Sequence, residues 1–275
     1  MKNTKRDGSP VLSVKNLKVS FEIENKTVEA LKGISFDIYP KEIVALVGES
    51  GSGKSVTCYS ILNILPKNAS VSGQIFLKEG DKLTDILTCD SKKLRDIRGN
   101  KVSMIFQEPS AVLNPLMKVG DQIVEAVTAH KKVPYNKAKE LAVKSMEKAR
   151  IPDPERRFYQ YPHELSGGLK QRVVIAIGIA NNPLILLADE PTTALDVTVS
   201  AQILKLFEDL KNQLGVSILL ITHDLGIVAE IADRVLVIYK GQIVEEGDVF
   251  EIFENPKHPY TKKLLKSRPT LENII

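Results

Sequence analysis

Residues 48–55 read Gly48-Glu49-Ser50-Gly51-Ser52-Gly53-Lys54-Ser55. This stretch, called the phosphate loop below, fits the pattern G-x-x-x-x-G-K-[ST], in which glycines let backbone amides approach and cradle phosphate oxygens. The lysine of this pattern reaches the outer phosphates, and the hydroxyl of its last residue binds Mg²⁺. The apolar run 43–47 precedes the stretch, and residues 56–65 after it have helical character and stop before Pro66. This context predicts a nucleotide-phosphate site rather than a glycine-rich surface turn.

Length and composition limit the possible classes of protein. A chain of 275 residues predicts one large or two small domains. The net charge of +4 is spread along the sequence, so no basic stripe for nucleic acid is visible. Cys58 and Cys89 have no CxxC spacing, and we expect both to be reduced thiols. Apolar runs are far shorter than the roughly twenty residues that span a bilayer. We therefore expect a cytosolic chain, or one held at a membrane only by partners.

The apolar and polar residues of the first 165 positions predict a sheet followed by helices. Apolar residues at nearly alternate positions of 11–21 predict a half-buried strand. Two short strands are expected at 28–31 and 34–38, with Gly33 between them, and an antiparallel strand is expected at 74–77. Residues 78–99 are polar and predict a loop with a short helix. Residues 101–106 predict a buried strand that ends at Gln107. Helices are then expected at 121–130 and after a cap at Asn136, which indicates a helical subdomain inserted at about 108–165.

The second half of the chain predicts further strands of the core. The apolar runs 184–188 and 216–221 are typical of parallel strands covered on both faces. Between them lies an amphipathic helix for which Gly215 is the expected C-terminal cap. Residues 235–239 and 242–244 predict a hairpin with a two-residue turn, and short helices are expected around 249–254 and 259–266.

Two acids follow the apolar run 184–188. Ligands of α/β sheets bind at strand ends, so Asp189 could hold Mg²⁺ through water. Glu190 lies one residue further on and could orient or deprotonate the attacking water. An exposed acidic turn before Pro191 is the alternative, and the phosphate loop upstream makes it the weaker one.

The stretch 165–172 reads LSGGLKQR and contains a second candidate anion site. Ser166 is a good N-cap for the helix expected after it, and a Ser-Gly-Gly helix start offers amides, a hydroxyl and a positive dipole end to an anion. Local physics alone would favour a simple capped helix.

Taken together, GESGSGKS at 48–55, LSGGLKQR at 165–172 and LLADEP at 186–191 resemble the ATP-binding cassette (ABC) family. The resemblance implies an α/β fold of P-loop NTPase type, with a mixed sheet core, an antiparallel β subdomain and an inserted α-helical subdomain. In this family two chains enclose two ATP molecules head to tail. The serine and glycines of the signature segment, which we define as residues 165–171, then contact the nucleotide bound by the other subunit.

The resemblance also implies residue roles. Nucleotide would be bound by the whole phosphate loop and Gln107, with Phe21 stacking on adenine. Mg²⁺ would be bound by Ser55, Gln107 and Asp189, and Gln107 would sense the ion and meet the membrane partner. The catalytic residues would be Lys54, Glu190 and His223. Asp196 would lie at the dimer interface, and the partner's site would be completed by Leu165, Ser166, Gly167, Gly168 and Gln171. By themselves, a glutamine, histidine or phenylalanine at such positions is more often structural, and Phe21 could equally belong to the core.

The C-terminal sequence narrows the resemblance. Residues 255–262 read NPKHPYTK and, with Leu264-Leu265 and the YPHE at 161–164, resemble the oligopeptide/dipeptide/nickel importer ATPases. Accordingly, we expect a nucleotide-binding domain at 11–250 and an importer-type tail at 251–275. Many relatives carry a cysteine-rich extension that binds an iron–sulfur cluster. This chain has no cysteine after Cys89, so no cluster is expected.

The function implied by this resemblance is that of an ATPase subunit of an importer for peptides, or for nickel or another small solute. It would lie at the cytoplasmic face of the membrane, with ATP and Mg²⁺ as ligands. Its partners would be a second ATPase subunit (a paralogue or itself), two transmembrane permeases and, indirectly, an extracytoplasmic solute-binding protein. One alternative is an ABC ATPase of ribosomes or DNA, but a single cassette without a coiled-coil insertion argues against it. Another is a non-hydrolysing partner, against which the intact Lys54, Asp189, Glu190 and His223 argue.

Overall fold

A computed structural model describes residues 8–24, 26–193 and 195–266. The strands are β1 (Leu12–Ile23), β2 (Lys26–Ile38), β3 (Ile43–Val47), β4 (Ala69–Glu79), β5 (Lys82–Asp85), β6 (Val102–Ile105), β7 (Ile185–Asp189), β8 (Ser217–Ile221), β9 (Arg234–Tyr239) and β10 (Gln242–Asp248). The α-helices are α1 (Lys54–Ile61), α2 (Ser91–Ile97), α3 (Pro109–Val112), α4 (Val119–Thr128), α5 (Tyr135–Lys148), α6 (Pro154–Arg157), α7 (Gly167–Ile179), α8 (Val197–Leu214), α9 (Leu225–Ile231), α10 (Val249–Glu254) and α11 (Pro259–Lys266). Short 3-10 helices lie at Ile86–Thr88 and Pro162–Glu164.

The chain divides into two units. The first contains the described residues up to 88 together with those from 219 onward, and the second contains residues 89–218. Each unit has its own strands and helices. The predicted bounds of the nucleotide-binding domain (11–250), of the inserted helical subdomain (about 108–165) and of the tail (251–275) remain predictions, and residues 267–275 of that tail lie outside the described residues.

An antiparallel sheet with the order β2-β1-β4-β5 occupies part of the first unit. The expectation of two short strands around Gly33 is wrong, because β2 is continuous there. Gly33 has a φ of 94°, and a Cβ on it would lie 2.7 Å from Asn16 Oδ1 on β1, where the pairing register shifts between Val14 and Leu17. The glycine therefore accommodates a β-bulge rather than ending the strand.

One strand of this sheet was not predicted. Residues 82–85 form β5, which pairs with β4, whereas the sequence predicted a loop with a short helix for 78–99. The short helix is α2, capped by Asp90, whose side chain accepts a hydrogen bond from Lys93 N–H. Because β5 is short and none of its residues is buried, its sequence carries no apolar alternation to reveal it.

The first unit also contains β10, β9 and β3 in that order, with β3 parallel to β9 and β9 antiparallel to β10. Every residue of β3 is buried, as a strand covered on both faces requires. The predicted hairpin is confirmed, since Lys240 and Gly241 between β9 and β10 both have positive φ, at 48° and 80°. The helices expected at 249–254 and 259–266 are α10 and α11.

The second unit pairs β6 and β7 in parallel and carries most of the longer helices. The expected cap at Asn136 is wrong: Pro134 is the N-cap of α5, and its carbonyl accepts hydrogen bonds from the amides of Lys137 and Ala138. The expected cap of α8 is confirmed, since Gly215 has a left-handed φ of 69°. The fold class is confirmed as a mixed α/β fold with an antiparallel sheet and helical elements.

Candidate functional site

The phosphate loop connects β3 to α1 within the first unit. The helix begins at Lys54, two residues before the predicted start, and ends at Ile61 rather than near residue 65. Two glycines of the loop have no room for a side chain. A Cβ on Gly48 would lie 2.2 Å from the carbonyl oxygen of Ile238, and a Cβ on Gly53, at φ 108°, would lie 2.6 Å from Leu31 Cδ2. The backbone of the loop is therefore packed directly against its neighbours.

Lys54 lies inside this loop with only 6% of its surface exposed. Its Nζ donates hydrogen bonds to the carbonyl oxygens of Gly48 at 2.8 Å and of Glu49 at 2.9 Å. The hydroxyl of Ser52 is buried and has no hydrogen-bond partner among the described residues. Buried polar atoms are normally satisfied, so this hydroxyl fits a ligand oxygen in the loop. The loop thus combines a held ammonium group with an unsatisfied donor, as a phosphate site requires.

Two other predicted residues belong to the first unit. Phe21 is half-buried on β1, opposite Val28 and Ala69, and its expected role in stacking on adenine remains a prediction. His223 is exposed and lies between β8 and α9. The residue after it, Asp224, caps α9 by accepting hydrogen bonds from the amides at 226 and 227, which fixes the end of the turn that carries the histidine.

In the second unit, Asp189 and Glu190 lie at the carboxyl end of β7. Asp189 is only 4% exposed, so it is not the exposed acidic turn that the alternative interpretation required. Glu190 is half-buried and has a φ of 45°. A left-handed conformation costs a non-glycine residue of order 1–3 kcal/mol and persists only where the surroundings impose it. Such strain is concentrated at functional sites, which agrees with the role expected for Glu190.

Two side chains orient the carboxylate of Glu190. Gln107 Nε2 donates a hydrogen bond to Glu190 Oε2 at 3.2 Å, and Thr193 Oγ1 donates to the same oxygen at 3.0 Å. Gln107 was predicted as a site residue, and the structure brings it to the expected base. The contact of Thr193 was missed by the sequence reasoning. The one hint in the sequence is that Thr193 lies three residues after Glu190, a spacing typical of a turn. In the structure this turn forms, and Thr193 N–H donates a hydrogen bond to the carbonyl oxygen of Glu190 at 3.2 Å.

The signature segment begins α7 in the second unit. Ser166 is the N-cap as predicted, but its hydroxyl accepts from Leu169 N–H at a long 3.4 Å. Leu165 is buried and anchors the segment, whereas Ser166 and Gly167 are exposed. A Cβ on Gly168 would lie 2.6 Å from Val199 Cγ1, so α7 and α8 approach closely there.

Two further predicted residues of the second unit, Gln171 and Asp196, differ in burial. Gln171 is 1% exposed, and its Nε2 has no hydrogen-bond partner among the described residues, so it does not share the exposed surface of Ser166 and Gly167. Asp196 is exposed and caps α8 by accepting a hydrogen bond from Val199 N–H at 2.8 Å. Its expected role at a dimer interface remains a prediction. Residues 193–196 resemble the family's loop that crosses the dimer interface, and Ala194 of that stretch lies outside the described residues.

The predicted metal ligands are chemically suited to Mg²⁺. Ser55 offers a hydroxyl oxygen, Asp189 a buried carboxylate and Gln107 an amide oxygen. Mg²⁺ prefers oxygen donors and is usually bound by one or two carboxylates together with substrate phosphates and water.

In the part of the chain that the structure describes, no helix is both long enough and apolar enough to cross a membrane.

Comparison with known proteins agrees with this site. The ABC transporter family model matches residues 31–193, and the model of the oligopeptide/dipeptide transporter C-terminal region matches residues 244–274. The chain is 50% identical over 266 residues to the oligopeptide transport ATP-binding protein OppD of Bacillus subtilis (strain 168), covering 96% of this chain and 73% of that protein. It is also 50% identical over 264 residues to the dipeptide transport ATP-binding protein DppD of the same strain, covering 95% and 78%.

Solved structures are similar as well. A dimeric ATP-binding cassette in a post-hydrolysis state, bound to ADP and Pi, is 26% identical to the chain with a TM-score of 0.76, over 86% of this chain and 98% of that one. The family model covers more than half of the chain, and the phosphate loop that it includes has the geometry described above. The chain therefore belongs to the ABC transporter family, as one of its ATP-hydrolysing, ATP-binding subunits.

Proposed function

We propose that this chain is the ATPase subunit of an ABC importer that takes up peptides across the cytoplasmic membrane. The observation that carries the cargo class is the match of residues 244–274 to the C-terminal region of oligopeptide/dipeptide transporters. Two relatives at 50% identity, named for oligopeptide and dipeptide transport, support the same class. Nickel or another small solute is the alternative cargo, and neither of these relatives is named for it.

We also propose the partners and place of the chain. A second ATPase subunit, identical or paralogous, would bind head to tail, which the exposure of Ser166 and Gly167 supports because another chain could reach them. Two transmembrane permeases would attach the pair to the cytoplasmic face of the membrane. An extracytoplasmic binding protein would deliver the solute to them. The dimeric cassette with a TM-score of 0.76 supports the pairing of two such chains.

Within this function, the phosphate loop binds the β- and γ-phosphates. Lys54 moves its ammonium group from the carbonyls of Gly48 and Glu49 to phosphate oxygens, where its charge offsets the charge that develops in the transition state. Ser55 and Asp189 would hold Mg²⁺, which supplies further neutralisation of the phosphates when bound. Phe21 would stack on the adenine ring.

Glu190 positions the attacking water and accepts its proton. Gln107 and Thr193 donate to one oxygen of this carboxylate, so they orient it before nucleotide arrives. His223 steadies the γ-phosphate. In trans, Ser166 and Gly168 contact the γ-phosphate held by the partner chain. Because hydrolysis removes the group that joins the two chains, it allows the pair to reopen and couples chemistry to movement of the permeases.

The decisive test replaces Glu190 with glutamine. The amide keeps the shape of the side chain but cannot accept a proton from water, so we expect Glu190→Gln to lower steady-state ATP hydrolysis at least about a hundredfold. We expect ATP affinity to stay within about twofold, because the carboxylate does not bind the phosphates directly, and the closed dimer to accumulate in gel filtration with ATP.

A matched control is Glu147→Gln, which removes one exposed carboxylate from α5 in the same unit. It should leave hydrolysis unchanged. Steady-state hydrolysis by Glu190→Gln at the wild-type rate would sink the assignment of the base. The cargo is tested in cells lacking the native subunit, by uptake of a labelled tripeptide in competition with unlabelled peptide or with Ni²⁺. Competition by Ni²⁺ alone would contradict peptide transport.

A further inference from the structure

The C-terminal helix α11 contacts the phosphate loop within the first unit. The hydroxyl of Tyr260, in the first turn of that helix, accepts a hydrogen bond from Glu49 N–H at 2.9 Å. Tyr260 is only 7% exposed. Burial raises the pKa of its hydroxyl above the ordinary value, so the neutral phenol is the form present at physiological pH.

The ring of Tyr260 is held in place by packing. It stacks on Tyr239, the last residue of β9, with centroids 4.1 Å apart and planes 29° from parallel. It also belongs to the buried cluster that includes Val47 at the end of β3, Val237 on β9 and Ile252 on α10. The same β3 that leads into the phosphate loop therefore supports the helix that reaches back to that loop.

The turn before α11 is anchored as well. Glu245 on β10 accepts hydrogen bonds from two consecutive amides, with Oε1 2.6 Å from Lys257 N and Oε2 2.9 Å from His258 N. His258 Nδ1 in turn accepts from Tyr260 N–H at 3.1 Å. A carboxylate that binds two adjacent amides fixes the backbone direction at that point. The start of α11, and with it the tyrosine hydroxyl, is therefore positioned by strand β10.

Glu49 receives contacts at both of its backbone polar groups. Its N–H donates to Tyr260, while its carbonyl oxygen accepts from Lys54 Nζ at 2.9 Å and from Ser52 N–H at 3.2 Å. Of these three hydrogen bonds, the one from the N–H is the bond that reaches outside the loop. A phosphate loop binds through the preset direction of its amides, so one external bond at its second residue can set the direction of the peptides that follow.

We propose that Tyr260 is a positioning residue of the nucleotide site: its hydroxyl holds the amide of Glu49 and keeps the phosphate loop in the conformation that receives nucleotide. The C-terminal element is then part of the ATP site rather than an appendage to it. This inference needs only that the chain binds nucleotide, and it is independent of the cargo and of the permease partners.

Tyr260→Phe in the full chain tests the proposal, because it removes one oxygen and keeps the aromatic stack. A single lost hydrogen bond predicts an affinity for ADP about threefold to tenfold weaker, measured by titration calorimetry. We expect the KM for ATP to rise by the same factor and kcat to stay within about twofold, since the loop is reorganised in binding rather than in chemistry. Hydrogen exchange of the Glu49 amide should accelerate.

Tyr239→Phe is the matched control, since it removes a phenol hydroxyl from the other ring of the same stack. It should leave ADP affinity and exchange at Glu49 at wild-type values. Glu245→Gln is a second route, because it weakens the anchor of the turn without changing either ring; we expect the same direction of change in both measurements. Circular dichroism establishes folding of each variant.

Wild-type ADP affinity together with wild-type exchange at Glu49, in whichever of Tyr260→Phe and Glu245→Gln is folded, would overturn the proposal. An effect of equal size in Tyr239→Phe would also overturn it, because the loss would then not be specific to the hydroxyl that contacts Glu49. A failure of the proposed import function would show in uptake by the assembled transporter and would leave these binding measurements unaffected.

Discussion

The phosphate loop at 48–55 and the signature segment at 165–171 are both glycine-rich starts of helices, yet they differ in how they are held. In the loop, Gly48, Ser52, Gly53 and Lys54 are all buried, and Lys54 donates to two carbonyls of the loop itself. In the signature segment, Ser166 and Gly167 are exposed, and the capping hydrogen bond to Ser166 is 3.4 Å long. One segment is supported from inside and the other is presented outward.

This difference separates two ways of building a phosphate site. A preorganised loop loses little entropy when it binds, so it can hold nucleotide within a single chain. An exposed helix start has amides and a dipole but no enclosing walls, so water competes for it until another surface covers it. The comparison therefore predicts that substitutions in the loop weaken binding by one chain, whereas substitutions in the signature segment act only when two chains meet.

The largest effect is expected from Lys54→Ala in the loop. The substitution removes the charge that would neutralise the phosphates, and it leaves the carbonyls of Gly48 and Glu49 without this donor. We expect ATP hydrolysis to fall at least about a hundredfold, and ATP-dependent peptide uptake by the assembled transporter to be lost. Steady-state phosphate release and uptake of labelled peptide measure the two effects.

Lys67→Ala is the control for that substitution, since Lys67 is exposed in the same unit. Both activities should stay at wild-type levels in this variant. Retained uptake in the Lys54→Ala transporter would show that the phosphate loop does not need the ammonium group of Lys54. It would contradict the inference that the loop holds nucleotide within a single chain through this buried side chain.

The packing of Ile238 and Leu31 that leaves no room for a side chain at Gly48 and Gly53 could not be predicted from the sequence. The place of the loop between β3 and α1 was predicted, because the spacing of Gly48, Gly53, Lys54 and Ser55 is a local pattern within eight residues. The hairpin at Lys240-Gly241 and the cap at Gly215 were predicted for the same reason, since a positive φ favours particular residues at one position. Asn136 shows the limit: it has the composition of a cap, but Pro134 already ends the extended segment two residues earlier.

Contacts between distant residues could not be predicted. Tyr260 and Glu49 are 211 positions apart, and their hydrogen bond depends on how α11 packs near β3 rather than on any local pattern. Thr193 lies near Glu190 in sequence, but its donation to the carboxylate depends on the left-handed turn at Glu190, where a glutamate gives no compositional signal. The continuity of β2 likewise depends on its pairing with β1 across the bulge at Gly33.

Two glycines of the phosphate loop differ in how closely their neighbours surround them, and this difference can be measured as stability. Gly51 and Gly53 both have positive φ, but a Cβ on Gly51 meets nothing within 4 Å, while one on Gly53 would meet Leu31 Cδ2 at 2.6 Å and the carbonyl oxygen of Ala30 at 2.9 Å. We expect Gly51→Ala to lower the free energy of unfolding by about 1 kcal/mol through backbone strain alone. For Gly53→Ala the overpacking adds to the strain, giving about 2–3 kcal/mol.

Urea denaturation of the two variants measures this difference. Each serves as the control for the other, because the chemical change is the same. Equal losses would show that the neighbours of Gly53 yield without cost, and the loop would then be less firmly supported than its burial indicates.

The smallest effect on stability is expected from Ser166→Ala in the signature segment. Its capping bond at 3.4 Å lies beyond the usual 2.7–3.2 Å range, so its loss should cost less than about 0.5 kcal/mol of stability. Nucleotide affinity of the dilute single chain should not change, because the bound nucleotide belongs to the loop. Hydrolysis at concentrations where two chains associate should fall about tenfold, as expected for one lost hydrogen bond to a charged phosphate.

The measurement is specific activity against protein concentration, for the wild type and for Ser166→Ala. Wild-type specific activity should rise with concentration until dimers form, and the variant should follow the same curve at a lower plateau. A weaker ADP affinity in the dilute variant would place Ser166 in the same chain's site and remove the distinction between the two segments. A wild-type plateau would show that the exposed hydroxyl contacts no phosphate, and the outward-facing half of the comparison would then rest on the amides of α7 alone.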